Sequence, residues 1–162
     1  MPSPAIETYR ALARYNRRAN AALYEACARL ELADYLAPRP CYFGSIHNTL
    51  NHLLVCDRLW LGRLWDQPHG ITALDQILHD TLPALQIDRE REDDAIIAFV
   101  DALTDRDLLS DVTWSPLAGG RETHALGHLL THIFNHQTHH RGQVHCLLSQ
   151  TDVPPPAIDF LE

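Results

Sequence analysis

Histidine is concentrated in one short segment of this chain. Residues 135–145, NHQTHHRGQVH, contain four of the 11 histidines. On a helix, side chains four residues apart lie one above the other, so His136 and His140 are placed to bind one metal ion. A neutral imidazole binds zinc and similar divalent ions at about 2.0–2.1 Å. The segment therefore predicts two ligands of a metal site.

The helix that contains this segment is predicted to turn both histidines inward. Between Ala125 and Ser149, leucine, isoleucine and valine side chains recur at helical spacing and form one apolar stripe. Projected at about 100° per residue, His140 falls near the middle of that stripe and His136 just inside its edge. Burying two unpaired rings would cost about 1–3 kcal/mol for each unsatisfied group, and a shared ion would remove that cost. Of the other polar side chains, Gln137 is inside, His132 and Gln143 are on the border, and His128, His139 and His145 point away.

Two interpretations of these histidines are compatible with the helix alone. A buried histidine more often bonds to a carbonyl or a carboxylate than to a metal, so a hydrogen-bonded polar core is the alternative. A catalytic metal site needs a third protein ligand and a position left open for water or substrate. The segment SIHNTLNHLLVCDRLW offers His47 and His52 for that role, and its apolar periodicity does not choose between them. His124 is a further candidate at the start of the last helix.

Several side chains near the candidate ligands could support chemistry. Arg141 could bind a carboxylate of a substrate or of a thiol cofactor, and a surface ion pair is its alternative role. Cys56, four residues after His52, could act as a nucleophile, although a small buried side chain is the commoner role of a free cysteine. A ligating histidine usually donates its second N–H to an outer acceptor. The acceptors available for that purpose are Gln137, Asp57 and Asn48.

Four long segments with helical periodicity must position these residues. They extend from about Ala5 to Leu30, from Ser45 to Trp65, from Pro83 to Leu103 and from Ala125 to Ser149. A short helix is predicted over residues 72–82, and a short hairpin or irregular crossover over residues 111–124. The consecutive prolines of the tail exclude a helix there. The chain is therefore predicted to be all-α, a four-helix bundle in a single domain of residues 1–162.

The composition excludes some classes of function. The net charge of −8 argues against a general nucleic-acid-binding protein and against attachment to anionic membranes. No run of about 18 apolar residues is present, and the N-terminal segment lacks the apolar core of a signal peptide, so the cytoplasm is the expected compartment. The four cysteines form no C-x-x-C pair, which predicts reduced thiols rather than a zinc ribbon or a redox motif.

The chain resembles the DinB-like family, which is named for damage-inducible members and consists of metal-binding four-helix bundles. The resemblance lies in SIHNTLNHLLVCDRLWLGRL, in HLLTHIFNHQTHHRGQ, and in the Tyr-Asn and Ala-Asn pairs at residues 15–16 and 19–20. In that family, one histidine of the second long helix and two of the fourth, four residues apart, hold the metal. The resemblance thus implies His52, His136 and His140 as ligands, and the choice of His52 rests on it alone.

The resemblance implies a metalloenzyme without deciding its reaction, because relatives include thiol-dependent transferases, a thiol-dependent isomerase and proteins described as metal-dependent hydrolases. An ion held by three neutral imidazoles can lower the pKa of bound water toward about 7, or bind and deprotonate a low-molecular-weight thiol, for attack on a small electrophile. Imidazole ligands favour zinc or nickel and also suit iron. The alternative is a non-catalytic, stress-related metal-binding module with a structural or vestigial site. A homodimer with a small-molecule substrate is expected.

Overall fold

Four long helices make up most of the structure, a computed structural model that describes residues 4–161. In chain order the helices are α1 (Pro4–Cys27), the short α2 (Leu32–Leu36), α3 (Ile46–Trp65), α4 (Leu82–Ala102) and α5 (Leu126–Leu148). A 3-10 turn (Asp107–Leu109) and two antiparallel strands, β1 (Asp111–Trp114) and β2 (Glu122–Ala125), connect α4 to α5. The prediction of an all-α bundle with a hairpin before its last helix is confirmed. Over residues 4–161, no helix has both the length and the apolar character needed to cross a membrane.

Helix α3 begins and ends at residues with capping geometry. Ser45 has an extended backbone (φ −158°, ψ 167°), and its hydroxyl accepts a hydrogen bond from the Asn48 N–H at 3.1 Å. This bond satisfies one of the free N–H groups of the first turn. Asp66 ends the helix in the left-handed region, with φ 52°. The other long helices begin and end close to their predicted positions, and the largest difference is that α1 stops at Cys27 rather than Leu30.

Polar side chains form a layer across the middle of the bundle, between an apolar cluster at each end. At its centre, Arg89 of α4 makes ion pairs with Asp57 at 2.8 Å and Asp93 at 2.9 Å, and all three side chains are almost fully buried. Together with Arg141, this gives two arginines and two aspartates whose charges balance, which limits the cost of burying them. We call this set the buried polar layer; its members are Asn16, Asn20, Asp57, Arg89, Asp93, Gln137 and Arg141.

The segment between α3 and α4 is a loop, so the short helix predicted over residues 72–82 is wrong. The N–H groups of Leu78 and His79 donate to the side-chain oxygen of Asn51, at 2.8 and 3.1 Å, instead of to carbonyls one turn earlier. The Asn51 amide donates in return to the His79 carbonyl at 3.2 Å. These bonds hold the loop against α3, and the loop in turn places the Leu74 carbonyl beside His52.

The C-terminal tail lies along α1 without forming a helix, as its prolines predict. The Tyr15 hydroxyl donates to the Ile158 carbonyl at 2.8 Å, and the rings of Tyr15 and Phe160 meet edge to face at 5.4 Å. Tail and helix are therefore joined by both a hydrogen bond and an aromatic contact. The short helix α2 was not predicted, because its five residues are too few for a periodic pattern.

Candidate metal centre

Three histidine rings meet where α3 faces α5. The Nε2 atoms of His52 and His136 are 3.2 Å apart. The ring centroid of His140 lies 4.5 Å from that of His52 and 4.3 Å from that of His136. His52 and His140 are buried, and His136 is partly exposed. Two different helices thus supply the three rings, with the α5 pair one turn apart.

The geometry around His52 and His136 fits a shared metal ion, and the ring of His140 lies beside them. Two nitrogens bound to one tetrahedral ion at about 2.0–2.1 Å lie about 3.3–3.4 Å apart, close to the 3.2 Å between the two Nε2 atoms. The Nδ1–H of His52 donates to the Leu74 carbonyl, and that of His140 to the side-chain oxygen of Gln143, both at 2.7 Å. Because Nδ1 carries the proton in these two rings, the Nε2 lone pair is left to bind a metal.

Burial keeps these histidines neutral. It lowers the pKa of His136 from 6.5 to about 3, and the neighbouring rings, His140 first, lower it further because a second positive ring would repel the first. Burial likewise lowers the pKa of His140 to about 4, against an opposing effect of the bond to Gln143. It also lowers the pKa of His52. Because their pKa values are lowered, all three side chains are neutral at neutral pH. The neutral form is the one in which imidazole binds metals.

Cys56 lies within the same cluster. Its Sγ is 3.5 Å from the Nε2 of His52, and the ligand atoms of His52, Cys56 and His136 all lie within 4.8 Å of one another. A nitrogen at about 2.0–2.1 Å and a sulfur at about 2.3 Å from one tetrahedral ion are separated by about 3.6 Å. Burial raises the pKa of the Cys56 thiol to about 12, so without a cation beside it the thiol stays protonated. The three side chains form a possible metal site.

An open cleft of about 1370 Å³ lies beside these rings, and all three histidines line it. At one end, Phe43 stacks on the His52 ring with the centroids 3.9 Å apart. At the other end, the rings of Trp60 and Trp114 meet at 5.2 Å, with the guanidinium of Arg63 over Trp60 at 4.8 Å. Residues 72–75 of the α3–α4 loop and 116–118 of the hairpin form walls. The cleft therefore connects the histidine rings to solvent.

A comparison with known protein families identifies the bundle. The model of the DinB family matches residues 1–162, the whole chain. The chain belongs to the DinB family. A search of curated proteins finds no match. Family membership confirms the resemblance of the sequence and leaves the reaction to be argued from the site.

Two other candidate ligands lie away from this DinB site. His47, at the start of α3, is buried against α2, and its Nδ1 is 3.0 Å from the Tyr35 hydroxyl. His124 is exposed on β2, with its ring 5.3 Å from that of Trp114. The choice between His47 and His52, which the periodicity left open, follows from packing: His52 faces α5 and His47 faces α2. Of the border and outward-pointing residues, His132, His139 and Gln143 line the cleft.

The outer acceptors predicted for the ligating histidines are wrong. Gln137 donates to the Asp57 carboxylate within the buried polar layer, and Asn48 donates to the Phe43 carbonyl at 2.9 Å. Each of Gln137 and Asp57 directly follows a site residue, and one step along a helix turns a side chain by about 100°, away from the cleft. Gln143, three residues after His140, could have been found by helical spacing. The Leu74 carbonyl had no signal in the sequence, because any residue type supplies a carbonyl.

Arg141 is neither on the surface nor beside the cleft, so the surface ion pair considered for it is wrong. It is 1% exposed, donates to Asn16 and Thr138, and lies with its guanidinium 5.0 Å from the ring centroid of Tyr15. Burial lowers the pKa of this guanidinium. In this DinB chain Arg141 connects α5 to α1 inside the bundle, and it has no access to a substrate.

Proposed function

We propose that this protein is a divalent-metal-dependent enzyme whose ion activates a low-molecular-weight thiol or water for attack on a small electrophile. His52, His136 and His140 bind the ion in this proposal. The supporting observation is the convergence of three neutral rings at one end of an open cleft, with two Nε2 atoms 3.2 Å apart. Three histidines leave a coordination position free, as catalytic sites require. A thiol transferase and a hydrolase are the two reaction classes that this chemistry supports.

The protein's own residues would hold the site in one charge state and one orientation. When bound, the ion supplies a Lewis acid that lowers the pKa of a bound water or thiol. The Leu74 carbonyl and Gln143 keep protons on the Nδ1 atoms of His52 and His140. Phe43 covers one face of the His52 ring and excludes water from it. Zinc and nickel are the favoured metals, and iron also suits imidazole ligands.

A second candidate function is a non-catalytic, stress-related metal-binding module with a structural site. Cys56 favours it, because three histidines and one thiolate would fill a tetrahedral shell and leave no open position. The cleft favours the enzyme, because a structural site has no need of a large space lined by its own ligands. The two functions differ in whether Cys56 or an added molecule occupies the fourth position.

The proposal also includes a cytoplasmic homodimer that acts on a small molecule. Cys27, Cys41, Cys56 and Cys146 are all free thiols, as is usual in a reducing compartment. The cleft is larger than the roughly 300–1,000 Å³ typical of a pocket for one small ligand, which leaves room for a thiol and an electrophile together.

Metal analysis followed by a thiol-transfer screen tests the proposed function. The purified protein should contain close to one equivalent of a divalent metal, and the loaded protein should transfer a thiol to a small electrophile or hydrolyse one. His52→Ala should lose both the metal and the activity, whereas His128→Ala, which alters an exposed histidine of α5, should keep both. Full activity in His52→Ala would refute the assignment of the site. Retention of one metal equivalent without turnover, with loss of that metal in Cys56→Ala, would favour the structural module.

A further inference from the structure

Arg63 is a cation of the cleft that forms no ion pair with a carboxylate in the part of the chain that the structure describes, although the charge of Glu122 acts on it. Its Nη2 donates to the Ser115 carbonyl at 3.2 Å, and its Nε is buried without an acceptor. No carboxylate of residues 4–161 forms an ion pair with it, although the chain has 21 acidic residues. Burial lowers the pKa of this guanidinium, as is expected for a partly desolvated cation. A cation without an ion pair thus lines the cleft.

Two indole rings hold the Arg63 side chain in place. Its Cζ lies 4.8 Å from the ring centroid of Trp60 and 5.9 Å from that of Trp114. Cation–π contacts of this kind orient a guanidinium and replace part of its water. An oriented guanidinium presents paired donors that match the two oxygens of a carboxylate, and partial desolvation strengthens that bond. Arg63 therefore has the surroundings of an anion-binding side chain.

The position of Arg63 on α3 gives the ligand a length. Cys56, Trp60 and Arg63 follow one another along the face of α3 that lines the cleft. Arg63 lies seven positions after Cys56, which is about 10.5 Å along a helix axis. The wall between them is apolar and includes Leu59 and the two tryptophans. A molecule that extends from the histidines to Arg63 would need an apolar middle section and an anionic group at its far end.

We propose that Arg63 binds the carboxylate of an apolar, aromatic-containing monocarboxylic acid, whose reactive group lies at the histidine end of the cleft. The position of the reactive group rests on the proposed function, whereas recognition of the carboxylate by Arg63 does not. Glu122 also lines the cleft; it is exposed, and its carboxylate lies 3.5 Å from the Nε2 of His124. Its negative charge acts on Arg63 and would repel a bound carboxylate, so removal of the Glu122 charge should strengthen carboxylate binding.

Calorimetric titration of the full chain with 4-phenylbutyrate and with 4-phenylbutan-1-ol tests this inference. Both probes are titrated into protein as purified and into zinc-saturated protein, and the metal content is measured in the same samples. Wild-type protein should bind the acid more tightly than the alcohol. Arg63→Met should weaken binding of the acid by roughly 10-fold or more and leave the alcohol within about 2-fold, because a hydrogen bond to a charged group is lost while the apolar wall remains. Glu122→Gln should bind the acid more tightly than wild type.

Two controls separate recognition from folding and from metal binding. Arg29→Met removes an exposed arginine that does not line this cleft and should leave both affinities unchanged. Arg63→Lys keeps the charge without the planar fork and should give an intermediate affinity for the acid. Equal binding of the acid by wild type and Arg63→Met would overturn the inference, as would equal binding of acid and alcohol by wild type. A protein that takes up no metal but still shows the Arg63-dependent preference would refute the proposed function and leave this inference standing.

Discussion

Removal of the Asp57 carboxylate is expected to destabilise the bundle far more than removal of a surface carboxylate. Asp57 accepts from the Arg89 guanidinium at 2.8 Å and from the Gln137 amide, and the side chains of Asp57 and Arg89 are each 2% exposed. In Asp57→Ala, Arg89 loses its ion pair with Asp57 and keeps the one with Asp93 at 2.9 Å. Loss of one partner of a buried ion pair costs about 3–5 kcal/mol because a buried charge is left under-compensated. We expect a loss of that size in the free energy of unfolding.

Urea denaturation measures this loss, and the chain offers a matched control. Asp101 pairs with Arg14 at 3.0 Å, but their side chains are 39% and 55% exposed. Asp101→Ala should therefore cost less than about 1 kcal/mol, since exposed ion pairs contribute little. Asp57→Asn keeps an acceptor for Gln137 and should fall between the two. Equal losses in Asp57→Ala and Asp101→Ala, with unchanged denaturant slopes, would mean that water reaches the buried polar layer and that our account of it is wrong.

Three further predictions concern the candidate metal centre. The pKa values of His136 and His140, about 3 and about 4, lie below the 6.5 of an ordinary histidine, so as pH falls below 6.5 the unfolded chain takes up protons before the folded one does. The free energy of unfolding of the metal-free protein should consequently fall by about 1–2 kcal/mol per ring between pH 7 and pH 5, with allowance for the partial exposure of His136. In urea titrations, a His136→Gln/His140→Gln variant should show a smaller dependence of this free energy on pH. In the cobalt(II) form, a thiolate-to-cobalt absorption band should appear only when a small thiol is added. A band in the protein alone that disappears in Cys56→Ser would instead support a saturated structural site. Asn51→Ala frees the loop that carries Leu74, and it should weaken zinc affinity, measured in competition with a chelator, by about 10–100-fold. Asn51→Asp keeps the acceptor oxygen for Leu78 and His79 and should lose less affinity. Equal affinities in wild type and both variants would show that the loop does not position His52.

Helical periodicity predicted much of the bundle, because long amphipathic segments carry the strongest signal in a sequence. The inward positions of His136 and His140 followed from the same argument, and the structure brings both rings to His52. Periodicity could not show which side chains point inward where a helix lacks a distinct polar face. Helix α3 is apolar on several faces, so only packing distinguishes His52, which faces α5, from His47, which faces α2.

The loop and the outer hydrogen bonds could not be predicted from local patterns. Residues 72–82 contain enough apolar side chains for a short helix. In the structure, however, the side-chain oxygen of the buried Asn51 accepts hydrogen bonds from the N–H groups of Leu78 and His79. These two bonds join residues that are 27 and 28 positions apart, so no local spacing in the sequence reveals them. The same holds for the Leu74 carbonyl, which reaches His52 only because the loop is folded against α3. Unlike the Leu74 carbonyl, Cys56 has a signal in the sequence. It lies four residues after His52, and the same spacing identified the histidine pair of α5.

On α3 and α5, members of the buried polar layer directly follow residues of the candidate metal centre. Gln137 follows His136 on α5, and Asp57 follows Cys56 on α3, so each helix turns one residue toward the cleft and the next into the bundle. The bond between Gln137 and Asp57 therefore fixes the distance and rotation of the two helices at the level of the site. Metal-ligand spacings tolerate errors of only about 0.2 Å, which a layer of directional bonds can maintain and an apolar contact cannot. On this account Asp57→Asn should weaken zinc binding by a larger factor than its effect on the free energy of unfolding alone would produce.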